Sequence, residues 1–312
     1  MGIIRKDYIL DHFVYYSTAR GTRPHEFTNI VQQTPSGVCY FCPGSESLTP
    51  AEVGRRGSKA QWSMRWFQNK FPAVELKGNP RLSGPSLFLE SANYGVHEVL
   101  IETARHQEKL SDLPPEAIAD LLKVYRERVA ELSRQKGIKY VSVFKNHGKD
   151  GGTSLIHSHS QLMSLSQVPS TVKEECDAAR KSKSCPYCSI LRKESKSERL
   201  IAQNGSFIAF APFASRFNYE AWIFPKKHYR TFDDFNDGDF LDCASLLKGI
   251  LVKLQRIDAS YNYYIHYSPK GEDLHFHIEI TPRIATYGGF ELGTGFIINS
   301  VLPEDAAAYY RE

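Results

Sequence analysis

The stretch His157-Ser-His159-Ser-Gln161 decides the fold, because a related pair, His275-Phe-His277, stands at the corresponding place in the second half of the chain. In each half the same features precede the pair in the same order: Cys-x-x-Cys, a strand ending in Glu-x7-His, an amphipathic helix and a second strand. Such an ordered set rarely arises twice by chance from unrelated cysteines and histidines. The sequence therefore predicts a duplicated α+β unit, each half an antiparallel sheet with a flanking helix.

The helices of the two halves are predicted from hydrophobic spacing. The first is expected to begin within Pro114-Pro115-Glu116 and to run to about Lys136, with Gly137 as the stop signal. The second is expected from about Asp237 to Ile257. Its apolar face is expected to comprise Leu241, Ala244, Leu247, Leu251 and Leu254.

Length and composition indicate a globular protein of two domains. The 312 residues are 41% hydrophobic and 24% charged, which excludes a disordered or collagen-like chain. No apolar run approaches the ~18 residues of a membrane helix, and Met1–Leu10 does not read as a secretory signal. The net charge of +4 does not indicate nucleic-acid binding. We therefore expect a cytoplasmic protein with domains at residues 1–170 and 171–312, divided near residues 168–184.

Two Cys-x-x-Cys pairs carry the metal prediction. In a cytoplasmic protein such pairs indicate metal binding or redox chemistry rather than disulfides. A redox pair is expected at the start of a helix, whereas Pro43 and Gly44 follow the first pair. Zinc favours tetrahedral sets of Cys and His ligands, and four protein ligands make a site structural. The two predicted zinc sites are Cys39, Cys42, His106 and His157, and Cys185, Cys188, His228 and His275.

His159 is the candidate nucleophile. Alternate residues of a strand share a face, so His159 stays free beside His157 if His157 binds zinc. An imidazole attacks phosphorus and leaves again readily when its other ring nitrogen is bonded to an acceptor such as a backbone carbonyl. Gln161, Asn146 and the segment Gly151-Gly152-Thr-Ser154 are expected to donate hydrogen bonds to the phosphate oxygens. Taken alone, the glycine pair is more typical of a hairpin turn.

The sequence gives the other histidines no catalytic role. We expect His97 and His147 at the surface or in turns, and His12 and His25 on the surface of N-terminal strands or loops. His266 is expected to face the second His-x-His pair, where it is a candidate for an alternative metal ligand.

Together these motifs resemble the active-site segment of the galactose-1-phosphate uridylyltransferase branch of the histidine-triad superfamily. The resemblance extends to Phe144-Lys-Asn146, Arg20-Gly-Thr-Arg23-Pro24 and Trp66-Phe-Gln-Asn69-Lys-Phe-Pro72, and it runs over nearly the whole chain. It implies a structural zinc on the first Cys2His2 set and His159 as the nucleophile. The phosphate contacts it implies are Arg20, Arg23, Asn146, Ser154 and Gln161, with Asn69 near the nucleoside.

The chain departs from the family pattern in three places. Ser158 replaces the proline of the usual His-Pro-His, and its side chain is expected to point away from the reactive face. Some members lack the second Cys-x-x-Cys and have a different metal site, made of a glutamate and three late histidines. The corresponding candidates here are Glu175, His266, His275 and His277. Because Cys185 and Cys188 are present here, the two-zinc version is favoured. The tail Gly288–Gly295 is more similar to ADP-glucose phosphorylases and to many prokaryotic uridylyltransferase-like chains.

The resemblance implies a nucleotidyltransferase that works through a covalent nucleotidyl-histidine. His159 would take a nucleoside monophosphate from a nucleoside-diphosphate sugar and pass it to a sugar 1-phosphate. The favoured activity is that of a UDP-glucose–hexose-1-phosphate uridylyltransferase in galactose metabolism. The alternatives are an ADP-glucose:phosphate adenylyltransferase, a dinucleoside-tetraphosphate phosphorylase, a histidine-triad nucleotide hydrolase and a non-catalytic, zinc-stabilised binding module. The resemblance also suggests a homodimer.

Overall fold

The structure is a computed structural model that describes residues 2–18 and 37–312. The predicted phosphate contacts Arg20 and Arg23, together with His25, lie outside these residues. The described chain forms two sheets and several helices, numbered in chain order. The smaller sheet has the order β1-β2-β13 and consists of β1 (Ile3–Lys6), β2 (Phe13–Tyr16) and β13 (Ile297–Asn299).

A ten-stranded antiparallel sheet forms the body of the described chain. The first half of the chain contributes β3 (Glu52–Gly57), β4 (Trp62–Gln68), β5 (His97–Ile101), β6 (Tyr140–His147) and β7 (His159–Leu165). The second half contributes β8 (Leu200–Gln203), β9 (Phe207–Phe210), β10 (Ala221–Pro225), β11 (Tyr261–His266) and β12 (His277–Pro282).

The order of these strands confirms the duplicated α+β unit. Across the sheet the order is β3-β4-β5-β7-β6-β11-β12-β10-β9-β8, so the second half repeats the strand order of the first. The halves meet where β6 pairs with β11, and Lys145 lies opposite Tyr263 at the centre of that pairing. The sheet is therefore continuous across the halves, and the division at residue 170 stays a prediction.

The described helices are short except for one long helix in each half. The longer two, α1 (Pro115–Ser133) and α4 (Asp237–Arg256), each connect the third and fourth strands of their half and pack against each other. The others are α2 (Ser170–Arg180), α3 (Pro186–Glu194), α5 (Gly289–Thr294) and α6 (Pro303–Arg311). None of the described helices combines the length and the apolar character that crossing a membrane requires.

Local sequence explains where the two long helices begin. Helix α1 starts at Pro115, where the missing proline N–H leaves no hydrogen bond unmade. It ends at Ser133, slightly before the expected Lys136. Helix α4 is capped by Asn236, whose side chain accepts a hydrogen bond from Asp239 N, while the Asp239 carboxylate accepts one from Asn236 N. Such a reciprocal cap satisfies two backbone donors that the helix itself cannot pair.

The apolar faces of α1 and α4 bury the main core against the sheet. Leu121 and Leu122 of α1 and Leu247 and Leu251 of α4 are completely buried, and each such side chain contributes ~1.5–3 kcal/mol through its removal from water. Leu241 was expected on the same face, but that expectation is wrong, because its side chain is 39% exposed. At 100° per residue it lies at the flank of the buried face rather than on it.

A buried ion pair joins α1 to β5. The guanidinium of Arg128 donates to both carboxylate oxygens of Glu98, from Nε at 2.9 Å and from Nη2 at 2.8 Å. Both side chains are nearly inaccessible to water. Glu98 is the glutamate of the first Glu-x7-His motif. Its ion pair with Arg128 anchors the helix to the sheet.

We expect Arg128→Met to destabilise the protein by about 3–5 kcal/mol, because it leaves the buried Glu98 carboxylate without a partner. The double variant Arg128→Met/Glu98→Leu removes both charges and should recover most of that loss. Urea unfolding, monitored by circular dichroism, measures the free energy of unfolding of both variants. Equal destabilisation by the single and double variants would contradict the ion-pair explanation.

Candidate active site and metal sites

The first Cys2His2 set comes together as a compact cluster. The Sγ atoms of Cys39 and Cys42 each lie 3.6 Å from Nδ1 of His157, and Cys42 Sγ lies 3.4 Å from Nδ1 of His106. The four ligand atoms all fall within 4.8 Å of one another. A tetrahedral zinc ion with normal bond lengths places its sulfur and nitrogen ligands about 3.6 Å apart. The four residues therefore fit zinc as they stand.

The second Cys2His2 set has the same geometry. Cys185 Sγ and Cys188 Sγ lie 3.8 and 3.6 Å from His275 Nδ1, and Cys188 Sγ lies 3.5 Å from His228 Nδ1. This pair does stand at the start of a helix, α3, which is also where a redox pair is expected. The two sulfurs, however, face two histidine nitrogens at tetrahedral spacing, an arrangement that a redox pair does not need. The arrangement favours metal binding.

Hydrogen bonds to the chain fix how the ligand histidines face the sulfurs. Nε2 of His157 lies 2.7 Å from the carbonyl of Thr103, and Nε2 of His275 lies 2.9 Å from the carbonyl of Pro225. A carbonyl oxygen only accepts, so Nε2 carries the proton and Nδ1 presents its lone pair. In the same way Nε2 of His228 faces Asp273 Oδ1 at 2.9 Å. Such outer contacts orient metal-binding imidazoles.

The ring of His159 is held through Nδ1, whereas the ligand histidine His157 is held through Nε2. Its Nδ1 lies 2.8 Å from the carbonyl of His157, so Nδ1 carries the proton and the lone pair is on Nε2. Nε2 makes no hydrogen bond to any described residue. The Phe41 ring packs against the His159 ring at a centroid distance of 5.2 Å. Burial, together with the charge of Lys145, lowers the pKa of His159, so its imidazole is neutral at pH 7.

A cavity of about 320 Å³ opens in front of the His159 ring. Tyr40 and Phe41, the two residues between the first cysteine pair, form one part of its wall. The predicted site residues that line it are Asn69, Ser154, His159 and Gln161. The first Cys2His2 set therefore adjoins a wall of the cavity, and the main-chain carbonyl of His157 in that set accepts the hydrogen bond that orients His159.

Three other predicted phosphate contacts, Asn146, Gly151 and Gly152, are not among the residues that line this cavity. Asn146 lines a neighbouring cavity of about 430 Å³ on the same face of the sheet. Its Oδ1 accepts a hydrogen bond from Asn262, which also donates to the carbonyl of Gly151. The amide of Gly152 donates to Lys149 O within the turn. Gly151 has a packing role, because a Cβ there would lie 2.3 Å from the carbonyl of His147.

His97 is a site residue that the sequence analysis missed. It is buried on β5 rather than exposed in a turn, which corrects the expectation. Its Nδ1 accepts a hydrogen bond from Ala73 N at 3.2 Å, so the proton of the neutral ring is on Nε2. Nε2 then donates to Gln161 Oε1 at 2.8 Å. The Gln161 amide oxygen is thereby occupied. The apolar run Val99-Leu-Ile101 beside it could have indicated a fully buried strand, but not the hydrogen-bond partner of His97.

The second-half counterpart of His159 is His277, which lines neither of the two cavities described here among residues 2–18 and 37–312. His277 is completely buried, its Nδ1 lies 2.9 Å from His275 O, and its ring stacks on Phe224 at 4.6 Å. The half-buried His147, also expected at the surface or in a turn, stacks on Tyr261 at 4.6 Å. Burial lowers the pKa of His147 to about 3.

His266 does face the second His-x-His pair, as expected. The ring centroids of His266 and His277 are 5.1 Å apart, and both oxygens of Glu175 lie 3.0 Å from His266 Nδ1. With Glu279 these residues form a third, fully buried group whose ligand atoms lie within 4.8 Å of one another. His275, the remaining candidate for the alternative set, faces Cys185 and Cys188 instead.

Comparison with known proteins identifies the class of protein. Residues 11–169 match the family described as galactose-1-phosphate uridyl transferase, N-terminal domain, and residues 99–309 match a domain of unknown function, DUF4921. The chain is 35% identical to the ADP-glucose phosphorylase of Arabidopsis thaliana, over 99% of this chain and 92% of that protein. It is 29% identical to the galactose-1-phosphate uridylyltransferase of Thermotoga maritima, over 99% of this chain and 98% of that protein.

Solved structures agree with these similarities. The crystal structure of an Arabidopsis thaliana ADP-glucose phosphorylase with bound ADP-glucose superposes with a TM-score of 0.87 at 34% identity, covering 100% of this chain and 99% of that one. A structure of uridylyltransferase superposes with a TM-score of 0.77 at 29% identity, covering 100% and 97%. The chain is thus a nucleotidyltransferase with an α+β fold. It belongs to the galactose-1-phosphate uridyl transferase family, as the sequence motifs predicted.

We expect the purified protein to contain two zinc ions per chain, one for each Cys2His2 set, because both sets already have tetrahedral spacing. Cys39→Ser and Cys185→Ser should each remove one ion, measured by inductively coupled plasma mass spectrometry. Cys243→Ser, at a buried thiol outside both sets, is the control. Full zinc content in either single variant would contradict the site assignment. Metal retained by the Cys39→Ser/Cys185→Ser double variant would assign an ion to the third group, which contains Glu175 and His266.

Proposed function

We propose that this protein transfers a nucleoside monophosphate from a nucleoside-diphosphate sugar to a phosphate-bearing acceptor through a covalent nucleotidyl-histidine at His159. The observation that carries the proposal is the His159 ring itself. Its Nδ1 proton is bonded to the His157 carbonyl, and its Nε2 lone pair is unused beside a cavity. A neutral imidazole in this state is a competent nucleophile toward phosphorus.

The proposed reaction has two displacement steps. In the first, His159 Nε2 forms a bond to the α-phosphorus, the bond from that phosphorus to the bridging oxygen breaks, and a sugar 1-phosphate leaves with the electron pair. In the second, a phosphate oxygen of the acceptor attacks the same phosphorus and the N–P bond breaks. Both transition states place negative charge on the phosphorus oxygens, so donors fixed beforehand lower both barriers.

Gln161 is the proposed hydrogen-bond donor to the phosphorus oxygens whose side chain is fixed by a hydrogen bond to another described residue. Because His97 Nε2 donates to its Oε1, the amide NH2 of Gln161 is left to face the cavity. Ser154 and Asn69 line the same cavity and are the further proposed contacts. The roles proposed for Asn146, Gly151 and Gly152 rest on the family resemblance, as do those of Arg20 and Arg23.

The donor sugar nucleotide has two candidates. Uridylyl transfer between UDP-glucose and hexose 1-phosphate, which the sequence analysis favoured, is supported by the similarity to galactose-1-phosphate uridylyltransferases. Adenylyl transfer from ADP-glucose to phosphate is supported by the higher identity to an ADP-glucose phosphorylase, 35% against 29%. The same histidine chemistry serves both.

We further propose that zinc occupies both Cys2His2 sets and that each ion is structural. Four protein ligands leave no open coordination position, so zinc would supply rigidity and not Lewis-acid catalysis. None of the six cysteines forms a disulfide, which supports a cytoplasmic location. The homodimer is proposed from the family resemblance, and light scattering on the purified protein tests it.

Incubation with α-³²P-labelled nucleotide sugar should label the protein covalently, and mass spectrometry of the trapped adduct should identify the nucleotide as uridylyl or adenylyl. His159→Ala should abolish labelling, whereas His147→Ala, at a histidine outside the cavity, should not. Substantial labelling of His159→Ala refutes the nucleophile. Labelling followed by release to water without an acceptor would indicate a hydrolase, and a folded protein that binds nucleotide but never becomes labelled would indicate a binding module.

His97 should act on the reaction through Gln161. We expect Gln161→Ala to slow labelling by about 100-fold, since a fixed donor to the phosphorus oxygens is lost. His97→Phe should slow labelling by about 10-fold, because the Gln161 amide is no longer held. In the Gln161→Ala background His97→Phe should cause little further loss. Single-turnover rates measure all four proteins, and independent, multiplicative losses would show that the two residues do not act together.

A further inference from the structure

Ser158 lies between the two histidines of the motif, and its side chain is on the opposite face of the strand. It is buried at 5% exposure, together with Lys145 and Glu102. The sequence assigned no function to this face. The three side chains instead form a closed hydrogen-bonded group directly behind His157 and His159. We call them the Lys145 group.

Lys145 is the centre of this group. Its ammonium donates to Glu102 Oε2 at 2.6 Å, to Ser158 Oγ at 3.1 Å and to the main-chain carbonyl of His159 at 3.0 Å. Ser158 Oγ in turn donates to Glu102 Oε2 at 2.6 Å, and Glu102 N donates to the carbonyl of Ser158 at 3.1 Å. An ammonium has three N–H donors, so all of them are used.

Stability alone does not explain why a charged group occupies this place. Burying two charges costs several kcal/mol each, and well-packed apolar residues often serve equally well. The second oxygen of Glu102, Oε1, is buried with no hydrogen-bond partner among the described residues, so the cost is not fully offset. What the group supplies and apolar side chains could not is a directed hydrogen bond to the His159 carbonyl.

The position of that bond is informative. Backbone pairing between β6 and β7 runs from Tyr140 opposite Leu165 to Phe144 opposite Gln161, and it stops before His159. On the other side, β7 is paired up to His159 with Ile101 of β5. The Lys145 ammonium therefore continues the connection to β6 beyond the end of the β6–β7 pairing. It holds the peptide that carries the His159 side chain.

We propose that Lys145, Glu102 and Ser158 are positioning residues that fix the main chain of His159, so that its Nε2 stays aligned with the α-phosphorus. This inference rests on the proposed function of His159. None of the three residues lines the cavity in front of His159, so they act only through the histidine. Misplacing a reacting group by about 1 Å costs up to about 100-fold in rate.

The test replaces the buried ion pair with apolar residues of similar size. Lys145→Met/Glu102→Leu should remain folded, with thermal stability close to wild type, but should form the nucleotidyl-histidine about 10- to 100-fold more slowly in single turnover. The dissociation constant of the nucleotide sugar should change little, because the cavity is intact. The matched control is Arg128→Met/Glu98→Leu, which removes the buried ion pair between α1 and β5, away from His159, and should leave the labelling rate unchanged.

Ser158 supplies a second and milder test. Ser158→Ala keeps the ion pair and removes only the hydroxyl, and it should slow labelling by a few fold, about 3- to 10-fold. Ser158→Thr retains the hydroxyl and should restore the rate. This series decides the matter if Lys145→Met/Glu102→Leu does not fold.

The outcomes separate the two proposals. If wild-type protein labels and the folded variants label at the wild-type rate, the positioning role is wrong while the proposed function stands. If the control variant slows as much as the Lys145 variant, the effect is general loss of rigidity and the inference is also wrong. If wild-type protein never labels, the proposed function itself fails and the inference falls with it.

Discussion

Two hydrogen bonds from imidazole rings to main-chain carbonyls set the chemistry of this protein. His157 uses Nε2 on the Thr103 carbonyl, which leaves Nδ1 for the cysteine sulfurs. His159 uses Nδ1 on the His157 carbonyl, which leaves Nε2 for the cavity. Two identical side chains, two residues apart, are thereby given different tasks, because each ring nitrogen that donates a proton leaves the other as a lone pair.

The first metal cluster and the cavity share the same short segment. Tyr40 and Phe41 lie between the two cysteines, line the cavity, and Phe41 packs against the His159 ring. An ion bound by Cys39 and Cys42 would therefore fix a wall of the proposed active site without touching the substrate. Under the proposed function, such a closed tetrahedral site would support the reaction by keeping Phe41 packed against the His159 ring.

In the described chain, the duplicated fold places His159 beside a cavity in the first half and buries the corresponding His277 completely in the second. The second half keeps the second Cys2His2 set and the Nδ1–carbonyl bond of His277, yet Phe224 stacks on that ring and Glu279 stands where the first half has Gln161. Because the His277 ring is buried and the Glu279 carboxylate lies beside it, His277 suits a structural role. A carboxylate in place of the amide would also repel a phosphate.

The sequence by itself determined the duplication, both Cys2His2 sets, the family and the free neighbour of His157, because each depends on residue types at short and fixed spacings. The ends of the helices and the flank position of Leu241 depended on packing against other elements. The partners of His97, Lys145 and Glu102 were decided only by the tertiary structure, since strand pairing brings together residues that are far apart in the chain. A hydrogen bond between such residues leaves no periodic pattern in the sequence, and so only the folded sheet shows it.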